Sequence, residues 1–381
     1  MITTRRTPAM FFAFALFLGG CGGSAAVSPT PSSPAAASAK PAASTAASVA
    51  GKPAVSDSAA AAAASGGVSV KVAVQGRPDQ AALQLAIDRG YLAKQGLNIS
   101  TVQIDSGAQM VPALATNQIQ VGNGAPSAAL FNALNRSVDI RMVADYAHVG
   151  PPTDTTLALL VRKELMDSGT VKSVADLKGR NVGLGTVKGT VSDYLFSKAL
   201  DKAKATDANI NVQYMPFPDI VSALGTGKLD AGTLTEPLVT QVVQQNIAKV
   251  LHPSGEVIPG AHLSVLQYSP EFASSQASAA TRFMVGYLQG VRDYYDAFFQ
   301  KKDRDAAIKL LTQSLSVKDA HIWEIAQPES IDLNGKVNLD DLKAQAQFYS
   351  QQGTLQGGVP DIAKYIDTKF ADAAVKELGP R

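Results

Sequence analysis

The chain of 381 residues contains one cysteine, Cys21, and one tryptophan, Trp323. A lone cysteine excludes an internal disulfide and leaves the body without a thiol nucleophile or a thiolate metal set. The four histidines, His148, His252, His262 and His321, are too scattered for metal-ligand spacing, so no metal is expected. Charge is sparse as well. Charged residues make up 17% of the chain and the net charge is +2, which excludes the strongly basic face of a nucleic-acid binder. Outside the N-terminal region no apolar run reaches the length of a membrane-spanning helix. No nucleophile stands at a spacing that converges with a base, so no catalytic residue and no cofactor are expected.

The N-terminus has the layout of an export signal. Arg5 and Arg6 form a short positive region, residues 9–18 an apolar stretch, and Leu18-Gly19-Gly20-Cys21 closes it. This close resembles a bacterial lipobox, in which small residues precede a lipidated cysteine that becomes the mature N-terminus. Gly19 departs from the Ala or Ser common at its position. Residues 1–21 are therefore expected to be a lipoprotein signal peptide with Cys21 as the lipidation site. Several acyl chains anchor stably where one binds only marginally. The protein is then expected in the cell envelope, extracytoplasmic and tied to a membrane. Residues 22–67 are almost entirely Ala, Ser, Pro, Gly, Thr and Val, including Pro29, Pro31, Pro34, Pro41 and Pro53. Such a stretch lacks the large apolar groups that offset ordering entropy and is expected to be a disordered tether.

From Val68 strands alternate with helices. Residues 68–74 (VSVKVAV) alternate at period two, and 157–162 (LALLVR) is nearly all apolar, as a strand buried on both faces should be. Strands are also expected near 99–104, 118–121, 140–144, 181–184, 211–215, 231–234, 248–251 and 263–267, with helices between them. That order predicts parallel sheets built from βαβ units, followed by a mainly helical segment after Ser269. A weak repeat runs through the body: residues 113–122 (ALATNQIQVG) match 223–232 (ALGTGKLDAG), and each reaches a proline, Pro126 or Pro237, expected to open a helix. Two like α/β lobes facing one another make a cleft, where ligand sites concentrate.

The stretch 81–97 (AALQLAIDRGYLAKQGL) resembles the opening helix of the nitrate, sulfonate and thiamine-precursor binding proteins. The phrases 113–122, 173–180 (SVADLKGR), 223–231 and Glu236-Pro237 resemble that family's recurring elements in order and spacing, and 282–299 with 366–379 look most like its thiamine-precursor branch. The resemblance implies an α/β fold of the periplasmic binding protein type (type II), with two lobes, each a mainly parallel sheet flanked by helices. Lobe one would be 68–156 with 263–381, and lobe two 157–262. It implies an extracytoplasmic component of an ABC importer, monomeric, that closes on a small organic solute and docks on a permease with its ATPase. The solute would be anionic (a sulfonate, carboxylate or relative) or a pyrimidine-type nutrient. Solute contacts carry over as Gln75, Gly76, Arg77, Ser106, Gly107, Gln109, Asn123, Gly124 and Ser127. On the second lobe they are Gly185, Thr186, Lys188, Thr190 and Glu236. Two other functions remain open, a sensory lipoprotein and an enzyme like the thiamine-pyrimidine synthases, although the latter rely on a cysteine-rich segment that this body lacks.

Several residues carry two readings. Residues 122–127 feed a helix N-terminus, whose free N–H groups suit an anion; they also fit a plain turn with Ser127 as cap. Residues 183–189 (GLGTVKG) lack the third glycine spacing of a dinucleotide loop and read as a ligand loop or a structural turn. Glu236 either complements the helix dipole or faces the solute. Arg77 is a bidentate clamp or a surface residue. Tyr146 and Phe217 are the candidates to sandwich a ring, whereas Trp323 and Tyr294 read as packing.

Overall fold

In the computed structural model the described residues are 67–104 and 107–381. The expected signal peptide, the expected lipidation site Cys21, the expected tether short of Gly67, and the expected contact Ser106 lie outside them. Ten strands follow in chain order: β1 (Val68–Val74), β2 (Leu97–Gln103), β3 (Val121–Gly124), β4 (Arg141–His148), β5 (Leu157–Arg162), β6 (Asn181–Leu184), β7 (Asn211–Tyr214), β8 (Ala231–Thr235), β9 (Ala248–Pro253) and β10 (His262–Tyr268). They form two five-stranded sheets, ordered β2-β1-β3-β10-β4 and β7-β6-β8-β5-β9. β1 pairs in parallel with β2 and β3, and β10 runs antiparallel to β3 and β4. The second sheet has the same plan, with β5 reversed between β8 and β9. In each sheet the reversed strand is the first one after the chain crosses from the other sheet.

The apolar run of β5 has a direct cause. Leu159 and Val161 pack into the core on one face of the second sheet, and Ala158 and Leu160 into the core on the other. Burying each Leu or Val contributes about 1.5–3 kcal/mol, which suits an inner strand and no other place. The first sheet is backed by the long helix Ala277–Phe298, which buries Phe283, Met284, Tyr287, Leu288, Val291 and Tyr294 along one stripe. Among the described residues no helix is long and apolar enough to cross a membrane.

The repeat seen in the sequence is repeated in three dimensions. Gln118 and Ile119 both donate their N–H to the Ala113 carbonyl, and Lys228 and Leu229 do the same to Ala223. Asn117 and Gly227 hold the left-handed conformation at the equivalent turn, with φ of 55° and 74°. Side chains match too: Gln120 Oε1 accepts from Lys71 N–H at 2.9 Å, and Asp230 Oδ2 from Asn181 N–H at 3.0 Å. The prolines fall differently from the expectation. Pro126 precedes the cap Ser127 of the helix Ala128–Asn135, and Pro237 is itself the residue before the helix Leu238–Gln244. Asn123 and Gly124, expected in a loop, end strand β3, all of whose residues are buried. The strand forms there because Gly124 and Asn123 pair with Val265 and Leu266 of β10, a partner far away in sequence.

The chain passes between the sheets at 149–156 and 254–261, and these segments are laced together. Val149 N–H donates to the Ala261 carbonyl at 2.8 Å, and Gly260 N–H to the Val149 carbonyl at 2.9 Å. Asp154, fully buried, accepts from Gly150 N–H and Thr156 N–H at 2.7 Å each, while its carbonyl accepts from the Ser254 hydroxyl and Gly255 N–H at 3.1 Å each. Gly255 is required there, since a Cβ would run into the Pro151 carbonyl oxygen.

Beside this crossing lies a second buried acid. Asp145 in β4 accepts from His148 Nδ1 at 2.6 Å, His262 Nδ1 at 3.0 Å and Asp332 N–H at 2.7 Å. Burial works against its charge, but the two histidine hydrogen bonds outweigh that and hold its pKa below the ordinary carboxylate value. His262 Nε2 accepts from Asn338 N–H at 2.8 Å, which fixes the proton on Nδ1. Burial also opposes a charge on His148, yet its bond to Asp145 outweighs this and raises its pKa.

Candidate functional site

The turn after β1, the residues after β8, the end of the long helix and the C-terminal segment 317–329 enclose a recess. Pro78, Tyr294, Phe298, Ile322, Trp323 and Pro328 form apolar walls, Glu236 and Pro237 follow strand β8 of the second sheet, and Glu329 lies at the polar end; the cavity measures about 30 Å³ and opens to solvent. It continues through Val317 and Ile322 into a polar groove beside Gln241, Gln244 and Lys318. Trp323 is both core and wall: it is 7% exposed, and its indole N–H donates to the Val317 carbonyl at 3.0 Å.

Of the expected contacts, Arg77 and Glu236 belong to this neighbourhood. Arg77, half exposed, pairs with Asp79 at 3.0 Å, and that carboxylate, beside partial burial acting the other way, raises its pKa further. Glu236 is a saturated cap. Its carboxylate accepts from Thr240 N–H and Thr240 Oγ1 at 3.0 Å each, from Thr155 Oγ1 at 3.2 Å and from Gln327 N–H at 3.4 Å. Burial still raises its pKa against those donors. Gln75 and Gly76 give their N–H groups to Gln80 Oε1 at 2.8 Å each, and Gln80 Nε2 donates to Asn123 Oδ1 at 3.2 Å. Asn123 Nδ2 donates in turn to Ser264 at 3.4 Å, so its side chain braces β3 against β10.

The helix N-terminus after 122–127, expected to suit an anion or to be a plain turn, and the one after the expected ligand loop 183–189 already hold protein oxygens. At the helix Ala128–Asn135, Ala128 N–H donates to the Gly189 carbonyl at 3.0 Å and Leu130 N–H to Ser127 Oγ at 3.4 Å. At the helix Val191–Lys202, Asp193 Oδ2 takes the N–H groups of Gly189 and Thr190 at 3.1 and 3.0 Å and the Thr190 hydroxyl at 3.2 Å. Tyr214 gives its hydroxyl to the other Asp193 oxygen at 2.6 Å. Gly124 and Gly185 are buried, Thr186 and Lys188 are exposed on the loop between β6 and its helix, and Gly107 and Gln109 sit at the start of the helix Gly107–Ala115.

Sequence reasoning passed over Asp79, Gln80 and Glu329. Glu329 Oε2 is sealed from water and has no hydrogen-bond partner, although Glu329 N–H donates to the Tyr294 hydroxyl at 2.9 Å. Burial drives its carboxyl well above the usual range; the charges of Asp79, Asp154 and Glu236 push the same way and only Arg77 opposes them. Asp79 Oδ1, Gln75 Oε1 and the Tyr146 hydroxyl are likewise buried without a partner at hydrogen-bonding geometry. Tyr146 is 1% exposed and stacks on Tyr287 at 6.0 Å with 7° between the rings, so its ring is packed in the core and not open to a solute. Phe217 packs against the core of the second sheet. The one sequence signal for Glu329 is its place after Pro328, the same Pro-flanked setting as Arg77 and Glu236.

Residues 77–297 match the family described as NMT1/THI5 like. The taurine-binding periplasmic protein of Escherichia coli (strain K12) is 23% identical over 313 residues, covering 80% of this chain and 92% of that protein. Two solved structures share the fold. The alkanesulfonate-binding protein SsuA from Xanthomonas axonopodis pv. citri, bound to MOPS, has a TM-score of 0.62 and 21% identity over 79% of this chain and 98% of that one. The nitrate-binding protein NrtA from Synechocystis PCC 6803 has a TM-score of 0.63 and 12% identity over 82% and 90%. These likenesses bear out the periplasmic binding protein fold and the family resemblance read from 81–97 and the later phrases. With more than half of its length inside the match, the chain belongs to the NMT1/THI5-like family.

Proposed function

We propose that the chain is the extracytoplasmic solute-binding component of an ABC importer, a binding protein and not an enzyme. The observation that carries the reading is the recess itself. It has apolar walls from the first sheet's side and Glu236-Pro237 from the second, with one buried, unpaired carboxyl oxygen, Glu329 Oε2, at its end. Its relatives named for binding taurine, alkanesulfonates and nitrate support the same role.

In this reading residues 68–156 with 263–381 and residues 157–262 move as two lobes about 149–156 and 254–261. A small organic solute bridges them, shifts the open–closed equilibrium, and the closed form docks on a permease driven by its ATPase. Pro78 and Glu236 line the recess, and in this reading an anionic end of the solute would meet Arg77 or the exposed Lys188. Cys21 carries the lipid, the stretch 22–67 is the tether, and the protein works as a monomer. The test is small-angle scattering of the full chain together with thermal melting against sulfonates, carboxylates, amines and pyrimidines. A true solute shrinks the particle and raises the melting midpoint. A chain that no small molecule compacts or stabilises would sink the proposal.

A further inference from the structure

Each sheet has cores of its own, and one core belongs to both. The clusters around Leu159 and around Leu160 hold only residues of 157–262, and those around Val72 and around Met110 hold none of them. Among the described residues a single cluster mixes the two. In it Val191, Tyr194 and Leu195 of the helix Val191–Lys202 join Phe131 of the helix Ala128–Asn135 and Ala346 and Phe348 of the helix Leu339–Gln351. Two contacts in this region are direct. The Tyr194 ring lies 5.4 Å from the Phe348 ring, tilted by 56°, and the two residues are 8% and 7% exposed. At the head of the same helix the Gly189 carbonyl accepts from Ala128 N–H at 3.0 Å.

Gly189 makes the second contact possible. Its N–H is held on Asp193 Oδ2 at 3.1 Å and its φ is 88°, a conformation that suits glycine. A Cβ there would stand 2.7 Å from the Ala128 Cβ, so the two backbones approach as closely as glycine allows. The other end of the helix Val191–Lys202 sits beside the crossing, where Lys202 Nζ donates to Glu256 Oε1 at 2.6 Å. Its 12 residues make a lever about 18 Å long. Rotation about the crossing moves the Lys202 end least and parts the Gly189 end from Ala128 most.

We propose that these contacts form a latch: Tyr194 on Phe348 and Gly189 on Ala128 hold the lobes closed and set the open–closed balance from outside the recess. None of the four residues lines the recess. The proposal rests on the two-lobe reading above and adds what fixes its equilibrium. Opening separates both contacts together and returns to water the apolar surface that closure buries. A solute that bridges the lobes is then bound more weakly by the factor by which the closed share falls. The latch tunes affinity for any such solute without touching it, and specificity is left to the recess.

The experiment is double electron–electron resonance on the full chain without solute. Cys21 is the only cysteine, so Cys21→Ser gives a thiol-free background. Gln118→Cys with Lys228→Cys then places one spin label on the equivalent exposed turn of each repeat copy. Phe348→Ala and Tyr194→Ala should each raise the ratio of long to short distances about threefold or more, the share of an aromatic pair. Tyr194→Phe keeps the ring and should restore the original distribution. Gly189→Ala attacks the other contact and should lengthen the distance as well, which keeps the test alive if an aromatic variant fails to fold. Lower melting midpoints with unchanged distances in all the folded variants would mean packing alone and overturn the proposal. So would a Tyr194→Phe distribution as long as that of Tyr194→Ala. Melting of the unlabelled chain with taurine, benzoate and benzylamine separates this from the solute-binding reading. If one of them raises the midpoint while no variant lengthens the distance, solute capture stands and the latch falls. If the variants open the chain and no small molecule stabilises it, the latch stands and the solute-binding reading falls.

Discussion

Two buried acids on either side of one short segment have opposite fates. Asp145, at the crossing, has three donors on its two oxygens and a lowered pKa. Glu329, in the recess, has an oxygen with none and a raised pKa. The segment 327–332 joins them: Ser330 accepts from His148 N–H at 2.9 Å and Asp332 N–H reaches Asp145, while Gln327 N–H reaches Glu236. The helix Ala277–Phe298 backs both, since the Tyr287 hydroxyl donates to the Asp145 carbonyl and the Tyr294 hydroxyl accepts from Glu329 N–H. Burial alone therefore does not decide whether a charge stabilises the fold. The supply of donors does.

The largest effect is expected at the satisfied acid. Asp145→Asn removes the negative charge between His148 and His262 and turns an amide N–H₂ toward one of three existing donors. Losing one partner of a buried charged network costs about 3–5 kcal/mol. Urea unfolding measures it, and a loss under about 1 kcal/mol would break the contrast by showing that the network carries little.

Glu329→Gln should move stability the other way. The folded pKa of Glu329 lies above its unfolded value. Its share of stability is therefore full below the unfolded carboxylate pKa and is lost as pH rises through the folded one. Glutamine keeps the shape and removes the ionisation, so the variant should gain about 1–3 kcal/mol near neutral pH and nothing in acid. Melting curves at about pH 4 and about pH 8 separate the cases, because an equal gain at both would mean that charge is not the cause.

These two acids also mark how far the sequence could be read. The fold was open to reading because its signals are local: the period of β1, the unbroken apolar run of β5, and a repeat whose turn sits at the same offset in both copies. The sites were less so. Asp145 stands in MVADYA, and a lone acid in an apolar strand was the only cue to its burial. Two of its three donors come from His262 and Asp332, 117 and 187 residues away, and only His148 is near in sequence. Glu329 lies in a stretch without period between helices, so nothing nearby in sequence tells whether its oxygen meets water or a closed recess. The oxygens that fill the helix N-termini after 122–127 and 183–189 were hidden for the same reason: Asp193 is close in sequence to one, but the Gly189 carbonyl reaches Ala128 at the other from 61 residues away.

The smallest effect tests a polar group that is satisfied but only partly buried. Asn117 holds the left-handed turn of the first repeat copy, where Gly227 stands in the second. Its Oδ1 accepts from the Ser269 hydroxyl at 2.6 Å and from Gln120 Nε2 at 3.2 Å. Asn117→Gly relieves the backbone, since glycine enters φ > 0 without a Cβ penalty, but removes that acceptor and loosens the unfolded chain. The opposing terms are each about 0.5–1 kcal/mol; Gln120 Nε2 keeps its bond to the carbonyl of residue 117 and only the buried Ser269 hydroxyl loses its acceptor, so the net loss should be about 1 kcal/mol. Asn117→Ala loses the same bonds without the relief and should cost about 1–2 kcal/mol more than the glycine variant. Denaturant midpoints of the two variants give the difference directly. If alanine is tolerated as well as glycine, then the turn geometry shared by the two copies is not what their common sequence preserves.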